Sequence, residues 1–168
     1  MAFDVSVHNS CKIVTVRAKA YTGATTADIV FTDLNSGAVY TSTVTYTAGL
    51  AQQNVPVDTL PEANGAYKVC LKEGGIEQAC RALLIHCDID CCLAKLTNEL
   101  IECACDCPKC ASALAKAQKI FLLLQSAISS VGLTYTSTGG FNSGYYQDIL
   151  SKYLKAKELC DNSCGCDC

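Results

Sequence analysis

The stretch Ile76-Glu-Gln-Ala-Cys-Arg-Ala-Leu-Leu-Ile85-His-Cys-Asp-Ile-Asp-Cys-Cys-Leu-Ala-Lys-Leu96 changes its hydrophobic period midway, and that change decides the fold class. Up to Ile85 the chain reads with period two. After Asp88, the apolar residues Ile89, Cys92, Leu93, Leu96, Leu100 and Ile101 recur at spacings of three and four, the period of an amphipathic helix. The expectation is an α+β protein, with a β-sandwich domain over 1–86 and a Cys-rich three-helix domain over 87–168. A chain of 168 residues, half of them apolar and 17% charged, has material for ordinary cores, so disorder is excluded as the dominant state.

Upstream of this junction the chain is rich in Val, Thr, Tyr and Ile, alternates apolar with polar residues, and is broken at regular intervals by turn residues. Seven strands are expected, at 3–8, 12–20, 28–34, 38–46, 53–57, 66–72 and 76–85. Asn35-Ser36-Gly37 and Glu73-Gly74-Gly75 supply positive-φ turn residues between runs, which suits antiparallel hairpins and disfavours a parallel sheet. The segment Leu60-Pro61-Glu62-Ala63-Asn64-Gly65-Ala66-Tyr67-Lys68-Val69-Cys70-Leu71 resembles the corner before the sixth strand of immunoglobulin-like and fibronectin type III-like sandwiches. That resemblance covers residues 3–85 and implies a Tyr67 hydroxyl bonded back to upstream backbone. The chain has no Trp, so an antibody-type Cys-Trp-Cys core is not supported. Cys11, Cys70 and Cys80 are expected as small buried core thiols.

Downstream, a helix is expected from residue 90 to 102. A second begins at Pro108, suited to a first helical position, and runs to residue 131, where Gly132 ends it. A Thr/Ser/Gly loop over 133–144 then leads to a third helix at 145–159. Together they suggest an antiparallel bundle. Its topology brings Cys103, Cys105, Cys107 and Cys110 to the same end as Cys160, Cys164, Cys166 and Cys168, capping the bundle with a cysteine cluster. Eight thiols match two tetrahedral all-thiolate zinc sites or one bridged cluster, and metal binding would be coupled to thiol ionisation. Disulfides across the two clusters are the alternative. Free thiols or an iron-sulfur cluster come behind, since nothing else in the chain suggests redox work. A second thiol cluster is conceivable at Cys80, Cys87, Cys91 and Cys92 beside His86, although thiols packing the junction are the plainer reading.

Little in the sequence suggests catalysis. His8 and His86 are the only histidines, neither at motif spacing from an acid, and phosphate loops, GxGxxG and HExxH are missing. Asp88 and Asp90 read as helix-capping residues, and Gly139-Gly140 as a turn. Asp106, Asp161 and Asp167 keep a cysteine cap soluble. The first 86 residues carry 6 basic and 7 acidic side chains and the remainder 7 and 9, so no basic surface for nucleic acid is expected. The start, MAFDVSVHNSCKIVTV, lacks a basic region followed by an apolar run, so neither signal peptide nor membrane span is expected, nor a lipid anchor. Synthesis in a reducing cytosol follows.

The texture of Cys87-Asp-Ile-Asp-Cys-Cys-Leu-Ala-Lys-Leu96, then Cys105-Asp-Cys-Pro-Lys-Cys110, then Lys116-Ala-Gln-Lys-Ile-Phe-Leu-Leu-Leu-Gln-Ser-Ala127 resembles small proteins encoded among tailed-bacteriophage virion genes. It implies a structural protein assembled in the host cytoplasm and carried in the virion as part of the tail, collar, fibre base or head surface, with copies of itself and other virion proteins as partners. Independently, Ile120-Phe-Leu-Leu-Leu124 places bulky apolar residues all round helix two, an excess for the sandwich or another subunit to cover. The competing expectation is a metal-binding adhesion or partner-binding module with ligand contacts on sandwich loops at 21–27 or 47–52.

Overall fold

The computed structural model describes residues 3–8, 11–102, 108–136 and 143–162. Seven strands precede three helices among them: β1 (Phe3–His8), β2 (Ile13–Lys19), β3 (Thr26–Asp33), β4 (Val39–Thr45), β5 (Leu50–Pro56), β6 (Gly65–Glu73), β7 (Ile76–Ile85), α1 (Cys87–Glu102), α2 (Pro108–Thr136) and α3 (Ser143–Asp161). A 3₁₀ turn at Val57–Thr59 follows β5. All strand pairings are antiparallel, in one sheet of order β1-β2-β5 and another of order β4-β3-β6-β7.

Alternation decides which side chains meet between the sheets. Phe3, Val5, Val14 and Val16 from one sheet and Ile29, Phe31, Tyr67, Val69 and Leu71 from the other fill a common core. Tyr67 is fully buried, and a buried hydroxyl left without a partner costs about 1–3 kcal/mol. Glu62 removes that cost: its carbonyl accepts from the Tyr67 hydroxyl at 2.5 Å, and its N–H donates back at 2.8 Å. The upstream bond anticipated for Tyr67 is therefore made. Burial pushes the Tyr67 phenol up to about 12.

β6 departs from simple alternation because both of its faces are covered. Tyr67, Val69 and Leu71 point between the sheets, whereas Ala66, with Ala82 and Leu84 of β7, packs into a second core. That core is completed by Ile89, Cys92 and Leu96 of α1, Ile120, Leu124 and Ala127 of α2, and Tyr146, Ile149, Tyr153, Ala156 and Cys160 of α3. Small residues on the sheet let the helices approach closely, so the outer face of β6 and β7 serves as one wall of the helical core.

α2 overturns one expectation: it does not end at Gly132 but continues to Thr136. A helical glycine costs roughly 1 kcal/mol relative to Ala. Docking of the last turns outweighs that penalty. Ser130 and Thr134 are buried there, and the Ala82 N–H donates to Thr134 Oγ1 at 3.2 Å.

Asp88 ties the helices together. Its Oδ1 accepts the Ile89 N–H at 2.8 Å, and its Oδ2 accepts the Tyr153 hydroxyl of α3 at 2.8 Å. Burial first, and the Asp88 charge second, raise the Tyr153 pKa.

Candidate metal centre and the placement of the cysteines

The hairpin between β6 and β7 turns on Gly74 and Gly75, whose φ values of 58° and 81° fit a two-residue turn closed by the Glu73–Ile76 pair. Counted outward from that turn in simple register, Cys70 would face Ala79. A β-bulge between Leu71 and Lys72 prevents this. Lys72 pairs with Glu77, but Leu71 pairs with Ala79, so Gln78 is the extra residue on β7.

The bulge has two consequences. It sets Cys70 directly opposite Cys80, and these form a disulfide with a Cα–Cα distance of 4.1 Å. It also changes the parity of β7, so Glu77, three residues from Cys80, joins the outer face that Cys70 and Cys80 share. The Sγ atoms of Cys70 and Cys80 and a carboxylate oxygen of Glu77 lie within 4.8 Å of one another, a grouping that could hold a metal ion only with the two sulfurs reduced to thiolates. Cys80 Sγ is 3.6 Å from Glu77 Oε2, while Oε1 faces Lys68 Nζ at 3.5 Å and Lys72 Nζ at 3.9 Å. Cys70 is buried, Cys80 is partly covered, and the Glu77 side chain is 46% exposed at the sheet edge.

A second disulfide joins Cys11, in the β1–β2 connection, to Cys87 at the start of α1, with Cα atoms 6.2 Å apart. Cys11, Cys70 and Cys80 are thus not the unbridged core thiols that burial alone suggested. Two are brought together by the bulged register, and the third reaches an element 76 residues away. Cys91 is disulfide-bonded as well. Cys80 is paired with Cys70 and Cys87 with Cys11, and Cys92 packs in the helical core. Of the eight cysteines assigned to the cap, Cys103, Cys105, Cys107, Cys164, Cys166 and Cys168 lie outside the described residues. Cys110 stands in the first turn of α2, and Cys160 is buried in the helical core.

Each histidine lies close to a polar side chain of its own segment, though His86 Nδ1 makes no hydrogen bond. His8 Nε2 lies 2.8 Å from Ser6 Oγ, and His86 Nδ1 lies 3.0 Å from Asp90 Oδ2, one helical turn on.

Glu73, at the end of β6, is a buried carboxylate that no sequence motif singles out. It is 3% exposed. Its oxygens accept the Tyr21 N–H at 2.9 Å, the Thr22 N–H at 2.8 Å, the Thr22 hydroxyl at 2.5 Å and the Tyr46 hydroxyl at 2.9 Å. Burial alone would raise its pKa, but these bonds to the charged form outweigh it and hold the carboxyl down at about 2. The Tyr46 phenol is shifted upward by its own burial and by the Glu73 charge. One carboxylate therefore fastens the 20–25 loop to the end of β6 and to Tyr46, one residue beyond β4.

An open, largely apolar cleft of about 200 Å³ lies between β1, β7 and α2, lined by Val5, Val7, Leu84, His86, Ile128 and Val131 among others. Further along α2, Ile120 and Leu124 are buried, but Phe121 is 51% and Leu122 67% exposed, and Leu114, Ile128 and Leu133 are exposed too. The protein's own sandwich does not cover them. None of the described helices is long and apolar enough to cross a membrane. No known protein-family model and no curated protein sequence matches this chain.

Proposed function

We propose that this protein is a non-enzymatic structural subunit that assembles with copies of itself through α2. The observation that carries the reading is the exposed apolar face of that helix. Leu114, Phe121 and Ile128 repeat every seven residues, with Leu122 and Leu133 beside them, and no charged residue lies between Lys119 and Asp148. A heptad-spaced, uncharged stripe is complementary to a second copy of itself and offers nothing to attract a charged partner. Large exposed apolar patches on soluble domains mark association surfaces.

The finer reading of the fold is an immunoglobulin- or fibronectin III-like sandwich. The strand order β1-β2-β5 and β4-β3-β6-β7 and the hydrogen bonds of Tyr67 to Glu62 support it. The resemblance of the helical half to proteins of tailed-bacteriophage virions supports a place in the particle, in the tail, collar, fibre base or head surface. In this reading the eight-cysteine cap is held by zinc or disulfides and staples the helices. Disulfides suit a particle that is assembled in the host cytoplasm and then released into oxidising surroundings.

The test is size-exclusion chromatography with light scattering on the full chain and on Phe121→Glu/Leu122→Glu. Wild type is expected to be multimeric and the variant monomeric with an unchanged far-UV circular dichroism spectrum, because Phe121 is half exposed and Leu122 two-thirds exposed in the single chain; its thermal unfolding should fall to that of the dissociated wild type at low concentration. A monomeric wild type would sink the assembly reading and favour a partner-binding module.

A further inference from the structure

We propose that Cys70, Glu77 and Cys80, once their disulfide is reduced, form a three-ligand site for a thiophilic divalent cation such as Zn²⁺, so that disulfide and metal are alternative occupants of one place on the outer sheet face. This does not depend on how the chain assembles, nor on the cysteines of the cap.

The geometry supports it first. Zinc bonds of about 2.3 Å to sulfur and 2.0 Å to carboxylate oxygen, at tetrahedral angles, imply ligand separations of about 3.5 Å between S and O and 3.8 Å between two sulfurs. Cys80 Sγ already stands 3.6 Å from Glu77 Oε2. The two sulfurs have to part, and Cys70 Sγ, within 4.8 Å of the Glu77 carboxylate, has to settle at ligand spacing from it; these are side-chain rotations on one face of the paired strands β6 and β7.

The division of labour on the carboxylate supports it second. Oε1 is turned to Lys68 and Lys72, whereas Oε2 is turned to the sulfur. One oxygen is thus oriented by two ammonium groups and the other is left toward the metal, the way an outer shell positions a ligand. Two thiolates and a carboxylate carry three negative charges and the cation two positive ones. The neighbouring lysines offset the remainder and favour thiolate over thiol.

The bulge supports it third. Without it Glu77 would lie on the opposite face from Cys80, and Cys70 would face Ala79. One irregularity in the ladder creates the whole ligand set, and bulges often re-aim side chains at functional sites. The 46% exposed Glu77 lies at the sheet edge, where a water can complete the coordination.

The exchange balances. Two equivalents of a low-molecular-weight thiol reduce the Cys70–Cys80 disulfide to two thiols and leave as their own disulfide. Zinc then displaces one proton from each cysteine.

The test compares the full wild-type chain, Cys70→Ser/Cys80→Ser and Glu77→Gln, each reduced with a phosphine and titrated with Zn²⁺ alone. Zinc stoichiometry comes from native mass spectrometry. Alkylation mapped to peptides shows whether zinc shields Cys70 and Cys80. Wild type should bind one zinc more than the double variant and show that shielding. Glu77→Gln, which keeps both thiols and should keep the oxidised fold by circular dichroism, should bind this zinc about tenfold more weakly or worse. Equal stoichiometry in wild type and double variant, alkylation of Cys70 and Cys80 unaffected by zinc, or full affinity in Glu77→Gln would each overturn the proposal.

Discussion

Replacing Glu73 by Gln removes one charge and keeps the side-chain shape, but it turns a group that accepts four hydrogen bonds into one that presents an amide NH₂ to donors. The magnitude follows from the carboxyl pKa. A fall from 4.5 in the unfolded chain to about 2 in the folded one is worth about 3 kcal/mol, at 1.36 kcal/mol per unit. Because the folded-state pKa is the lower one, this stability is fully present above the unfolded value and fades as the pH falls from about 5 toward 2. Glu73→Gln should therefore lose roughly 3 kcal/mol at pH 7, and the gap to wild type should close as the pH approaches 2. Urea unfolding of the oxidised protein, followed by far-UV circular dichroism between pH 2.5 and 7, measures both. A loss below about 0.5 kcal/mol at neutral pH, or a gap that does not change with pH, would refute the reasoning, since the hydrogen bonds would then not be stabilising the charged form.

Other expected outcomes follow from the same structure. Cys11→Ser/Cys87→Ser should lower the unfolding free energy by about 4 kcal/mol in the chain-entropy description, because the bridge spans 76 residues; denaturant titration checks this. Tyr153→Phe should cost about 1.5–3 kcal/mol by thermal unfolding, because it strips a hydroxyl from the charged Asp88. Ala48 has φ 52°, a region costly for any side chain, so Ala48→Gly should stabilise by about 0.5 kcal/mol once the added freedom of the unfolded chain is subtracted.

The strands were legible because one face of each is buried, so the period of two is written into the residues themselves. β1 and β7 occur at the expected positions, and the others shift by one to three residues at their ends. Tyr67 was legible because a Leu-Pro corner followed by an alternating strand is local in sequence. The end of α2 was not, because the helix-breaking tendency of Gly132 is local whereas the docking of Thr134 on Ala82 is tertiary. The Cys70–Cys80 pairing and Glu77 were hidden by one bulge. A period of two assigns Glu77 to the wrong face, and a two-residue turn read in simple register assigns Cys70 the wrong partner. Glu73 was hidden for another reason: nothing in Lys72-Glu73-Gly74-Gly75 tells a solvated turn acid from a carboxylate receiving four donors from residues 27 or more positions away.

The exposed stripe of α2 is the feature on which the functional account stands, and native mass spectrometry of the oxidised full chain across a range of micromolar concentrations tests it most directly. The account predicts a defined multimer that persists on dilution and is lost in Phe121→Glu/Leu122→Glu. A monomer at every concentration, with Phe121 and Leu122 intact, would contradict it.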